Sequence, residues 1–139
     1  MAELSKFDML RIKTGKELVQ LVNNEVDLGM REARQALRYA DTWAFAEDHY
    51  FRAKRTYTEA SRLIPLIDEI PEDQRGRWEA KLVHLREMLE GLSVLGSKRT
   101  PTGDDIPVLA RALWKARGCQ EGSPEDDWFR AERVLHAVC

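Results

Sequence analysis

The chain has 139 residues, enough for one domain or for one domain with a small appendage, and long enough to bury a core without disulfide or metal staples. Charged residues make up 33% and hydrophobic ones 43%, with 8 Gly and 5 Pro, a globular composition rich in helix formers and not a disordered one. The formal net charge of −2 excludes a global basic field of the kind that draws proteins to nucleic acid or anionic lipid, although a local stripe remains compatible with it.

The elements follow in chain order. Residues 1–13 carry Phe7, Leu10 and Ile12 and read as an N-terminal arm. Thr14-Gly15-Lys16-Glu17 has the spacing of a capping box. Behind it Leu18, Leu21, Val22, Val26, Met30, Ala33, Leu37, Ala40 and Ala44 recur at steps of three and four, one face of a long helix reaching about residue 46 and loosened near Gly29. Asp48 is a candidate cap for a second helix, whose seam is Tyr50, Ala53, Tyr57, Ala60, Ile64 and Ile67 and which Pro65 must kink or end. Pro71, Glu72 and Asp73 open a third helix carrying Trp78, Leu82, Leu85, Leu89 and Leu92 inward and stopping at Gly91 or Gly96. Residues 96–103 read as a linker. Asp104 or Asp105 then caps a short helix with Pro107 in its first turn and Gly118 at its end. Ser123-Pro124-Glu125-Asp126 is a strong helix start, and the last helix should turn Trp128, Ala131 and Leu135 inward, with Val138 after them. No segment alternates with the period of two that a half-buried strand requires.

Two stretches resemble known families. Ile106, Ala110, Leu113-Trp114, Arg117-Gly118, Glu121-Gly122, Asp127-Trp128 and Ala131-Glu132 resemble the short bacterial domain DUF2934 across residues 106–132. That family has no assigned activity, so the resemblance names the tail without explaining it, and it implies a bacterial source. Within residues 34–67, Leu37, Tyr50, Ala53, Tyr57, Ala60 and Pro65 resemble a single tetratricopeptide (TPR) helical hairpin. Asp41 stands where a TPR repeat has glycine and Ala44 where it has an aromatic, and no second copy follows at a period of about 34 residues. The resemblance therefore implies one hairpin whose alanines permit close helix packing, and not a solenoid.

The expected architecture is all-α: a three-helix antiparallel bundle over residues 1–95, a linker over 96–103 and a short helix–loop–helix tail over 104–139. Cys119 and Cys139 show no paired-thiol spacing, the first residues lack a signal-peptide pattern, and no uncharged stretch approaches the ~20 residues that span a bilayer. A cytoplasmic location without membrane association is expected.

Site chemistry is sparse. His49, His84 and His136 fall on three different helices in no metal-ligand spacing, and the acids Glu121, Glu125, Asp126 and Asp127 lack the alternation of a calcium loop. Cys119 follows a helix C-terminus, whose dipole disfavours a thiolate. Phosphate-binding glycine loops and nucleophile elbows are missing from the sequence. No enzymatic activity, catalytic residue, metal or cofactor is therefore expected. The favoured function is a protein-interaction or assembly module, with a protein partner or a second copy bound near Tyr39, Trp43, Tyr50 and Tyr57, or near Trp114, Arg117 and Trp128 in the tail. The alternative is weak nucleic-acid binding through two arginine-rich faces, Arg31, Arg34 and Arg38 on the first helix and Arg52, Arg55 and Arg62 on the second. An enzyme whose site cannot be read in one dimension is the third option.

Overall fold

The computed structural model describes residues 6–96, 102–118 and 124–138, with side chains described over 14–96, 102–118 and 124–136. It is all-α. The helices are α1 (Lys6–Arg38), α2 (Trp43–Leu63), α3 (Glu72–Gly96), α4 (Asp105–Ala116) and α5 (Pro124–Val138), with a single 3₁₀ turn over Ile64–Leu66 and no strand among the described residues. None of these helices is long and apolar enough to cross a membrane. Most of the anticipated linker, both cysteines, Glu121 and Ser123 lie outside the described residues.

Several boundaries differ from the expectation. α1 begins at Lys6, so Thr14 lies inside a helix and caps nothing. It also ends early, at Arg38, where the Tyr39 amide is shared between the carbonyls of Gln35 and Ala36 and the chain turns through residues 39–42. Thr42, not Asp48, occupies the cap position of α2, with φ −131° and no side-chain cap bond. Its carbonyl accepts from the amides of Phe45 and Ala46 at 2.9 and 3.2 Å. Pro65 ends α2 as expected, through the 3₁₀ turn. α3 passes straight through Gly91 and ends at Gly96.

The early break lets α2 return along α1. Val22 and Val26 of α1 pack with Ala60 and Leu63 of α2, Ile67, and Trp78 of α3. Further along, Met30, Ala33, Ala36 and Leu37 meet Ala46, Tyr50 and Ala53, together with Leu85 and Leu92 of α3. Alanines at both faces permit close approach. Gly29 sits at the tightest point, where an added Cβ would collide with Thr56 Oγ1 and lie 2.8 Å from Leu85 Cδ2. The helix is locked there, not loosened.

α3 has two buried faces, of which periodicity revealed one. Trp78, Leu85, Leu89 and Leu92 form the expected seam, while Met88, Gly91 and Leu95 lie roughly a quarter-turn or more away and are also buried. α4 covers this second face. A Cβ at Gly91 would strike Ala112 and lie 3.3 Å from the Val108 carbonyl oxygen. Leu109, Ala112 and Leu113 of α4 and Ala131, Val134 and Leu135 of α5 belong to the same core cluster as Leu37 and Leu85, so the apolar core runs from the body into the tail without a break.

Candidate functional site

The sequence proposed aromatic and arginine positions, and the structure sorts them into separate places. Trp43 and Tyr50 belong to the interior. Their rings are 5.5 Å apart, Tyr50 is buried, and a Cβ on Gly96 would meet the Trp43 indole at 2.7 Å. Tyr57 is half-buried against the same core. These three do not line an open groove between α1 and α2.

Tyr39 does reach the surface, with companions that the sequence reading passed over. Its ring stacks on His49 at 6.3 Å with an interplanar angle of 15°, and lies 6.2 Å from Phe45 at 59°. Phe45 is 67% exposed. His49 Nδ1 is 2.5 Å from Glu32 Oε2, which ties the start of α2 to α1 and holds the imidazole under Tyr39. The α1–α2 turn thus presents an aromatic corner built from Tyr39, Phe45 and His49. Phe45 escaped notice because the long first helix was expected to continue past it; once the break at 39–42 is known, it stands in the exposed first turn of α2.

The tail motif resolves into internal structure. Arg117 forks onto Asp127, Nε to Oδ1 at 3.1 Å and a terminal guanidinium nitrogen to Oδ2 at 2.5 Å, with the Asp127 carboxylate buried. Charge-assisted bidentate bonds of this kind fix geometry as well as attraction, and the Asp127 hydrogen bond leads the causes that raise the Arg117 pKa above its usual value. Gly118 has φ +81°, the left-handed conformation that closes a helix C-terminus, and its amide reaches the Lys115 carbonyl at 3.0 Å. Asp105 folds back to accept from the Thr102 amide at 2.8 Å and is itself buried. Asp127 takes the inward position of α5 that was assigned to Trp128, which is 43% exposed beside the still more exposed Phe129. Arg130 donates to the Leu37 carbonyl at 3.3 Å and anchors α5 to the end of α1.

Between α3 and α4 lies a polar seam. Glu87 accepts from Arg111 at 3.2 Å and pairs with Lys115 at 3.2 Å, and His84 Nε2 is 2.8 Å from the Lys115 carbonyl oxygen. The Arg111 hydrogen bond holds the Glu87 carboxyl below the usual carboxylate range against the opposing effect of burial, and Lys115 adds to it. Lys115 also lies 5.5 Å from the centre of the half-buried Trp114 ring. The Glu87 and His84 contacts join tail to body. Among the described residues no group of three or more His, Cys, Asp or Glu side chains converges to hold a metal ion.

The six arginines do not form one face. Arg31 and Arg34 border a shallow hollow with Asp27, Met30 and Lys81 of α3, while Arg55 borders another on the outside of α2 with Phe51, Lys54, Thr58 and Glu59. Arg62 is taken up by Glu59. Arg38 and Arg52 are exposed.

No curated protein and no solved structure matches the chain. Residues 102–137, which span α4 and most of α5 and include Trp114, the Arg117–Asp127 pair and Gly118, match the family model DUF2934, a protein of unknown function.

Proposed function

We propose that this chain is a non-enzymatic protein-interaction module. In this reading an antiparallel three-helix body carries its helix–loop–helix tail as a fixed part, and a partner protein binds the aromatic corner of Tyr39, Phe45 and His49. The observation that carries it is the exposure of Phe45 at a corner held rigid by the Glu32–His49 contact. Large aromatics on a rigid backbone lose little entropy on binding and dominate interface energetics. The shallow hollows, and polar groups spent on joining α4 and α5 to each other and to the body, also favour a surface-binding role over a pocket-based one. The α1–α2 hairpin, with Ala53 and Ala60 fully buried at its seam, suits the single TPR-like unit suggested by the sequence.

The test is a tagged capture after nuclease treatment, comparing wild type with Tyr39→Ser/Phe45→Ser, alongside light scattering to detect a second copy. The variant should lose the stoichiometric partner while keeping its helical circular dichroism and melting temperature. Retention of the same partners by the variant would refute the corner as the binding surface. Trp43 is unsuited to this test, because its removal also opens the core beside Gly96.

A further inference from the structure

We propose that the outer face of α2 binds single-stranded nucleic acid, with a base stacked on Phe51 and phosphates held by Lys54 and Arg55. Lys54 and Arg55 stand three and four residues from both Phe51 and Thr58, and the four line one hollow with Glu59. Together they cover about 10 Å of helix. Phe51 is 50% exposed, and it is braced from beneath by Tyr50 at 5.3 Å. A surface aromatic flanked by cations supplies the two parts that sequence-tolerant binding of single strands requires, a stacking platform and charges that track the backbone.

The cations of this face differ from the paired ones of α3 and α4. On α3 and α4, Arg77, Lys81, Arg86, Arg111 and Lys115 each pair with a carboxylate. On the outer side of α2 the nearby acid Glu59 is engaged by Arg62, while Lys54, Arg55 and the adjoining Arg52 are exposed and make no ion pair among the described residues. Glu47 and Asp48 one to two turns earlier lower the local field, which limits the site to a short stretch of backbone and weak affinity. A single convex helix face with a protruding ring suits unstacked bases, since duplex readout requires an element that enters a groove. Arg31 and Arg34 lie in the other hollow, beside α3, and take no part. The site shares no residue with the aromatic corner, so either proposal can fail alone.

The experiment is fluorescence anisotropy of a labelled 12-nucleotide oligo(dT) titrated with the full chain at 50 and 200 mM salt. Neutralising two to three single-strand phosphates should weaken binding roughly tenfold between these salts. Phe51→Ala should weaken it roughly tenfold at constant salt, as loss of one stacked base does. Lys54→Glu/Arg55→Glu should abolish it, while Arg31→Glu/Arg34→Glu, an equal change of net charge, should change it less than threefold. Each variant is first checked for wild-type circular dichroism and melting temperature. No anisotropy change at 50 mM salt, equal loss in the two charge-reversal variants, binding indifferent to Phe51→Ala, or tighter binding to duplex of the same length would each overturn the proposal.

Discussion

Replacing Gly91 with alanine sets two effects of opposite sign against each other. Alanine is the better helix former by about 1 kcal/mol, so on a free surface of α3 the change should stabilise. Gly91, however, is buried where α4 crosses α3, and the new methyl would overlap the Ala112 methyl and press on the Val108 carbonyl at 3.3 Å, with Leu109 Cα in ordinary contact at 3.5 Å. Neither the alanine methyl nor the helix carbonyl can give way by a rotamer change. Overpacking of this kind costs about 1–3 kcal/mol, so the expected net effect is a loss of up to about 2 kcal/mol. Ala112→Gly alone should also destabilise, through helix propensity and a lost buried methyl. In the double variant the methyl simply changes sides, and the two costs should partly cancel. Urea unfolding followed by circular dichroism would yield the four free energies of this cycle, with a favourable coupling of about 1 kcal/mol or more. A stabilised Gly91→Ala protein, or a coupling below about 0.3 kcal/mol, would show that α4 does not dock there in solution.

Other consequences are equally direct. Trp78 is fully buried and donates its indole N–H to Asn23 Oδ1 at 2.6 Å, and the same oxygen accepts from Gln74 at 3.1 Å. Asn23→Leu should cost about 1–3 kcal/mol in urea unfolding by stranding the indole donor, and a change under about 0.5 kcal/mol would contradict the assignment. Glu87 binds its proton less readily folded than unfolded, so its contribution is complete above the ordinary carboxylate range, about pH 4–5, and fades as acid protonates it in the folded state. The stability gap between wild type and Glu87→Gln should therefore be constant near pH 7 and shrink below about pH 4. A gap that does not vary with pH would rule out the Arg111 and Lys115 pairings as its source.

The two proposed surfaces were only partly legible. Tyr39 and the α2 arginines were visible as residue types, but exposure depends on which face neighbouring helices leave uncovered. Phe45 and Phe51 were hidden in a stretch read partly as helix interior and partly as a seam. Conversely, Arg117 was a candidate for a partner surface as well as for a structural pair with Asp127, and its two hydrogen bonds to the buried Asp127 carboxylate hold the two tail helices together.

What the chain determined locally is its helical content and those boundaries that carry backbone chemistry. Pro65 cannot donate an amide, Gly118 tolerates positive φ, Pro124 opens α5, and each acts wherever the rest of the chain goes. The break at residues 39–42 has no such marker: Tyr-Ala-Asp-Thr contains neither glycine nor proline, and helix propensity alone would carry α1 onward. Tertiary structure decided it, because folding α2 back onto α1 buries Ala36, Ala40, Ala46, Tyr50 and Ala53 together, which outweighs the intrahelical hydrogen bonds lost at the turn. The second buried face of α3 was decided in the same way. Gly91 falls off its main seam, and the arrival of α4 directly over it makes it interior.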